Sequence, residues 1–140
     1  MAAIRMLQAG DEHLLAEAAP GVFDNAVRAD LAAEFLADPR HHIAVAIEDG
    51  SIVGFVSALH YVHPDKPTEL WINEVGVAPT HRRLGLAKAL LDSMLEKGRT
   101  LGCKAAWVLT DKDNAAARAL YAAAGGKELS ENTVHVEFKL

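Results

Sequence analysis

The clearest periodicity in the chain lies between residues 87 and 101. Ala87, Leu90, Leu91, Met94, Leu95 and Leu101 recur at helical spacing, with Lys88, Asp92, Glu96, Lys97 and Arg99 on the other side. This predicts a long amphipathic helix, and Gly102 is placed to stop it. Other stretches read as strands. His42 to Ile47 and Ile52 to Tyr61, rich in β-branched residues, flank Asp49-Gly50 and predict a hairpin. Pro64-Asp65-Lys66-Pro67 is a turn leading into a fourth strand, Glu69 to Val77. Ile4 to Leu7 predicts a first strand, and Asp11 caps a helix running to about Ala19, ended by Pro20-Gly21. A second helix opens at Asp24 or Asn25, with Val27, Leu31, Phe35 and Leu36 on one face, and ends at Asp38-Pro39. After the long helix come a fifth strand, Ala105 to Thr110, a helix from about Asn114 to Ala124, and a last strand, Val134 to Phe138, expected to close the sheet.

The composition fits one domain. With 140 residues, 51% hydrophobic and 24% charged, the chain is long enough to bury a proper core, and we expect a single domain over 1–140 with no linker or repeat. No apolar run reaches bilayer length and the N-terminus lacks the layout of a signal peptide, so a cytoplasmic enzyme is the expectation. The net charge of −5 argues against nucleic acid and anionic membranes and suits a small cationic substrate. Cys103 is the only cysteine, which excludes an internal disulfide and a thiolate metal cluster. The seven histidines show no pair at helical metal-ligand spacing, and no metal site is expected.

The chemistry concentrates in V-G-V-A-P-T-H-R-R-L-G-L-A-K-A-L, residues 75–90. A strand containing Val75 and Val77 runs through Pro79-Thr80 into the start of the long helix. Backbone N–H groups without intrahelical partners, the helix dipole and the Arg82 and Arg83 guanidiniums then converge on one spot. Such a spot suits a pyrophosphate. At Gly85 a Cβ would crowd an anion held by the backbone, and at Ala87 a large side chain would block its approach. The pattern R-x-x-G-x-A has neither the G-K-S/T ending of a P-loop nor the three glycines of a dinucleotide site.

In these residues the chain resembles the GNAT superfamily of N-acetyltransferases, whose signature is a strand, then Gln/Arg-x-x-Gly-x-Gly/Ala, then a helix holding the acetyl-CoA pyrophosphate. A later block, Asn114, Ala117, Leu120, Tyr121 and Gly125, follows the family's N-x-x-A-x-x-L-Y-x-x-x-G pattern, and Gly126 departs from the aromatic usual there. The resemblance implies an α+β fold with a mixed sheet, mostly antiparallel, splayed between the fourth and fifth strands. It implies acetyl-CoA as donor, contacted by Val75, Val77, Arg82, Arg83 and Gly85. Leu86, Ala87, Lys88, Asn114 and Ala117 complete that set, and Asn114 also reads as a helix N-cap.

Acetyl transfer needs an unprotonated amine, yet an alkylammonium of pKa ~10.4 is neutral about once in a few thousand molecules at pH 7. Glu74, three residues before Val77 on the cleft strand, is the candidate general base. The stretch P-x-x-P-x-E-L-W-I-x-E-V-x-V, with H-R-R-x-G after it, resembles the GNAT-type aminoglycoside 3-N-acetyltransferases, where an acidic residue holds the matching position. A carboxylate at ~4.3 is mismatched with such an amine by ~6 units, roughly 8 kcal/mol. Burial of Glu74 and neighbouring ammoniums on a polycation would both narrow that gap. The bland reading of Glu74 is a strand-edge carboxylate paired with His81, Arg82 or Arg83. Tyr121 is the candidate acid for the departing thiolate, about 1.5 units uphill. Asp24, Asp65, Glu69, Asp111 and Asp113, in turns or at strand ends, are acidic residues that a cationic acceptor could meet along with Glu74; each also has an ordinary role as a cap or turn former, and Asp111 follows Thr110 at the mouth of the splayed strands. Trp71 and Trp107 either pack the core or line the cleft. The leading expectation is aminoglycoside N-acetylation; a polyamine or protein amine is the alternative acceptor, and a non-catalytic acetyl-CoA sensor is the alternative of another class. A homodimer is a further expectation.

Overall fold

The computed structural model describes all residues, 1–140. Five strands form one sheet in the order β1-β2-β3-β4-β5: β1 Ala3–Met6, β2 His41–Glu48, β3 Ser51–Tyr61, β4 Glu69–Val77 and β5 Ala105–Val108. The first four are antiparallel in sequence, whereas β4 and β5 run parallel. Parallel neighbours need a crossover, and the long helix α3, Leu86–Thr100, supplies it. Its buried side, Leu90, Leu91, Met94 and Gly98, packs on the sheet face carrying Val56, Ala58, Leu70 and Ile72. At Gly98 the approach is close, since a Cβ would lie 3.0 Å from Leu70 Cδ2. The α+β layout and the splayed mixed sheet match the sequence expectation.

Three expected elements differ. Only Glu12–Leu15 is helical near the N-terminus (α1), because residues 17–19 pair instead with the start of β3: Ile52 N donates to Glu17 O at 2.9 Å and Ala19 N to Ile52 O at 2.8 Å. Asp11 is not a side-chain cap. Its carboxylate accepts from Arg5 Nη2 at 2.7 Å and from the Gln8 amide at 3.0 Å. The second helix, α2, spans Ala29–Ala37 rather than opening at Asp24 or Asn25. Upstream of it Val22 is buried and Phe23 stacks on Phe55 with centroids 4.3 Å apart, so contacts with the sheet hold this segment out of a helix. Val27 and Leu31 are exposed, and Ala32 and Leu36 form the packed side.

The last helix, α4, covers Ala115–Ala123. Gly125 N donates to Ala122 O at 3.0 Å and Gly126 N to Tyr121 O at 2.9 Å, the two bonds of a Schellman termination. A Cβ at Gly126 would lie 2.9 Å from that same oxygen, which accounts for glycine where the family carries an aromatic. Val134 to Phe138 does not close the sheet. The tail has no strand partner, and Val134, Val136, Phe138 and Leu140 are exposed. A strand-like sequence shows that a segment could pair but not that a free edge meets it.

Candidate functional site

Between β4 and α3 the chain passes through a short 3-10 turn, Pro79–His81, and then two left-handed residues, Arg83 at φ 64° and Gly85 at φ 78°. Gly85 is the N-cap of α3, so Arg82 and Arg83 lie in the loop ahead of the helix rather than in its first turn. A left-handed backbone costs a residue with a Cβ about 1–2 kcal/mol, and glycine removes that cost. A Cβ at Gly85 would meet nothing within 4 Å, so the space in front of it is open. The first intrahelical bond runs from Ala89 N to Gly85 O at 3.1 Å, which leaves the N–H groups of Leu86, Ala87 and Lys88 ahead of it pointing outward.

These residues line a cavity of about 220 Å³, walled by Val77, His81, Arg82, Arg83, Gly85, Leu86, Ala87, Lys88 and Leu120. Open amides, two guanidiniums and a helix N-terminus fit a pyrophosphate. Leu120 brings α4 to the same place. Arg82 Nε donates to Val77 O at 3.4 Å, tying that side chain back to the strand end. The loop is also held through His81, whose Nδ1 meets Thr80 Oγ1 at 2.8 Å and whose Nε2 meets Glu48 Oε2 at 2.6 Å. The His81 bond and the N-terminal ammonium hold the Glu48 carboxyl below its ordinary value.

Glu74 stands on the sheet face opposite α3. Ser57 pairs with Glu74 and Ala58 with Ile72, so Asn73 is an extra residue in β4. This bulge lets Trp71 and Glu74, three apart in sequence, face the same way. It also restores Val75 and Val77 to the α3 side. Pairing between β4 and β5 ends at Ile72–Val108, one residue before the bulge, while β4 continues to Val77. The sheet therefore opens at Asn73. None of the ion pairs expected in the bland reading forms: His81 is taken by Glu48, and Glu74 has no salt bridge. Its expected burial is also absent, since the carboxylate is exposed.

Tyr121 is partly buried against the core, and burial raises its phenol above the ordinary value. Asn114 Oδ1 accepts the Ala117 amide at 3.0 Å, so N-x-x-A is here an N-cap bond, and only the Asn114 amide nitrogen and the Ala117 methyl remain free for a ligand. Neither residue lines the cavity.

The acidic candidates separate. Asp24 follows Phe23, which lies over Phe55; Phe55 pairs with Gly76, where a Cβ would be 2.5 Å from Val22 O. The Val22–Asp24 segment thus borders the Glu74 end of β4. Asp111 follows β5 at that same end. Asp65 lies before the other end of β4 and contacts Lys66 at 3.6 Å.

Sequence reasoning left Trp71 and Trp107 unplaced. They are a registered pair on β4 and β5, stacked with centroids 5.1 Å apart and planes at 8°, both partly exposed. Trp107 Nε1 donates to Tyr61 Oη at 2.7 Å. The parallel register that joins them is set by the crossover helix, for which the strands themselves carry no local signal.

The family description "Acetyltransferase (GNAT) family" matches residues 12–125. The chain is 35% identical over 79 residues to L-2,4-diaminobutyric acid acetyltransferase of Nocardia farcinica, covering 56% of this chain and 40% of that one. It therefore spans about two fifths of that relative's length. An aminoglycoside acetyltransferase from an uncultured soil metagenomic sample superposes with a TM-score of 0.82 at 25% identity, over 100% of this chain and 99% of that one. Another aminoglycoside acetyltransferase from such a sample, solved with sisomicin, shares the fold at a TM-score of 0.86 and 16% identity, over 99% and 96% of the two chains. The match over residues 12–125 makes this chain a member of the GNAT acetyltransferase family.

Proposed function

We propose that the protein transfers an acetyl group from acetyl-CoA to a primary amine that carries a second ammonium nearby, an aminoglycoside before other amines. The observation that carries this reading is that one strand, β4, leads into the open helix N-terminus at its end and presents Glu74 on its free face just before it. Arg82, Arg83, Gly85 and the amides of Leu86 to Lys88 would hold the pyrophosphate. Acetyl-CoA supplies the activated acyl group as a thioester. Glu74 attracts the acceptor and takes the ammonium proton, directly or through water, so that the nitrogen can attack the carbonyl carbon. The Tyr121 hydroxyl offers a hydrogen bond to the leaving sulfur; because burial raises its phenol, donating that bond suits it better than surrendering the proton.

Two relatives support the acceptor class in different ways. One is named for a diamino acid and the other for aminoglycosides, and in both molecules an adjacent ammonium lowers the pKa of the amine attacked. A 3-N position is part of the proposal through the resemblance around Glu74. A homodimer is also proposed: the exposed Val134, Val136, Phe138 and Leu140 give apolar area that a second copy would cover.

Free-thiol release from acetyl-CoA with sisomicin, 2,4-diaminobutyrate, spermidine and a monoamine tests the reading. Turnover is expected with the polyamines and not with the monoamine. Glu74→Gln is expected to lower kcat/KM by ~10²-fold, the scale of general-base loss, with acetyl-CoA affinity unchanged. Binding of acetyl-CoA without turnover of any amine would favour a sensor instead.

A further inference from the structure

The two tryptophans stack on the free face of the sheet, next to the point where β5 parts from β4. Trp71 and Trp107 occupy the register step before the sheet opens, on the face that also carries Glu74. Leu59 pairs with Trp71 and Ser57 with Glu74, so one step of roughly 7 Å along the strand separates the ring pair from that carboxylate. In the other direction, Tyr61 pairs with Glu69, again roughly 7 Å away. Glu69 is hydrogen-bonded to His63, whose ring packs edge-on to Tyr61. The free face of β4 thus reads carboxylate, aromatic pair, carboxylate over roughly 13 Å.

Two stacked indoles left partly exposed offer a ligand apolar area in a fixed geometry. The pair is also rigid, because the indole N–H of Trp107 is satisfied by Tyr61. Rigid aromatic area flanked by negative charge complements a molecule whose apolar C–H patches alternate with ammonium groups. A small diamino acid is too short to reach both carboxylates.

We propose that Trp71 and Trp107, locked by Tyr61, form the wall of the acceptor subsite, and that the acceptor is an aminated saccharide long enough to extend from Glu74 past the wall to Glu69. This rests on the transferase reading above, yet it can be tested apart from it. The chain has only two tryptophans, so its indole emission reports on the wall alone. Sisomicin added to the protein without acetyl-CoA should change that emission saturably, and 2,4-diaminobutyrate should not. Tyr61→Phe, which removes one hydrogen bond, should raise the sisomicin KM about 5-fold, with the acetyl-CoA KM unchanged. Glu69→Gln should weaken sisomicin binding by a similar factor and leave glucosamine binding as it is. Sisomicin acetylated with unchanged emission would overturn the wall and leave the transferase reading standing. Emission that responds to sisomicin without thiol release would do the reverse. Turnover of diaminobutyrate alone, with sisomicin silent in both assays, would overturn the saccharide acceptor.

Discussion

His81 Nε2 lies 2.6 Å from Glu48 Oε2, joining the loop ahead of α3 to the end of β2 across 33 residues. Through Thr80 and His81 the hairpin braces the loop ahead of the open amides of Leu86 to Lys88. Glu48→Gln keeps the shape of the side chain but removes its charge, and is expected to weaken acetyl-CoA binding about 3- to 10-fold with little change in Tm, because a partly exposed pair contributes little to global stability. Calorimetric titration checks the first part and a thermal melt the second. Unchanged affinity would mean that the loop holds its form without the brace.

Gly85→Val is expected to remove the Tm increase caused by acetyl-CoA. The left-handed φ of 78° adds a further consequence, a loss of about 1–2 kcal/mol in the unliganded protein. Urea unfolding with and without ligand separates the two effects. Retention of the ligand-induced shift would place the pyrophosphate elsewhere.

Tyr121→Phe retains the ring that packs against the core and loses only the hydroxyl. A fall in kcat of about 10-fold or more, with the acetyl-CoA dissociation constant preserved, is expected if the hydroxyl stabilises the leaving sulfur. Single-turnover rates equal to wild type would assign Tyr121 to packing.

A pH effect should come from His42 on the α3 side of the sheet. His42 is 7% exposed, its Nε2 lies 2.7 Å from His60 Nδ1, and burial followed by repulsion from His60 lowers its pKa to about 4. Lys97 and His41 add to the repulsion, and Asp38 opposes it. The folded value lies below the unfolded one of about 6.5, so the unfolded chain binds the proton more readily. The stability associated with a neutral His42 is complete above about pH 6.5 and is lost as pH falls toward 4. Urea midpoints measured between pH 7 and 4 should fall in the wild type and flatten in His42→Gln; parallel slopes would show that other groups carry the acid sensitivity.

Much of this was legible beforehand, and what was not has a common cause. The α3 stripe and the β2–β3 hairpin were readable because period and turn chemistry are local. The helix start after R-x-x-G was readable because the left-handed glycine acts on its own backbone. The shortened α1 depends on residues 17–19 finding Ile52, and the late start of α2 depends on Phe23 finding Phe55. Both are contacts across the fold that no window along the chain contains. The exposed Glu74 and the Trp71–Trp107 stack follow from inter-strand register, which the pattern of a single strand leaves open.

Asn73 shows what the site costs the fold. Removing that one residue would make β4 a regular strand with every remaining side chain on its present face, since the bulge adds one position to an otherwise two-residue repeat. The sheet does not need it. What the extra residue adds is a local bend where β5 lets go, and with it an opening beside Glu74. If the acceptor enters there, as proposed, stability and activity pull against each other at a single position: the residue that interrupts a regular strand is the one that stands beside Glu74.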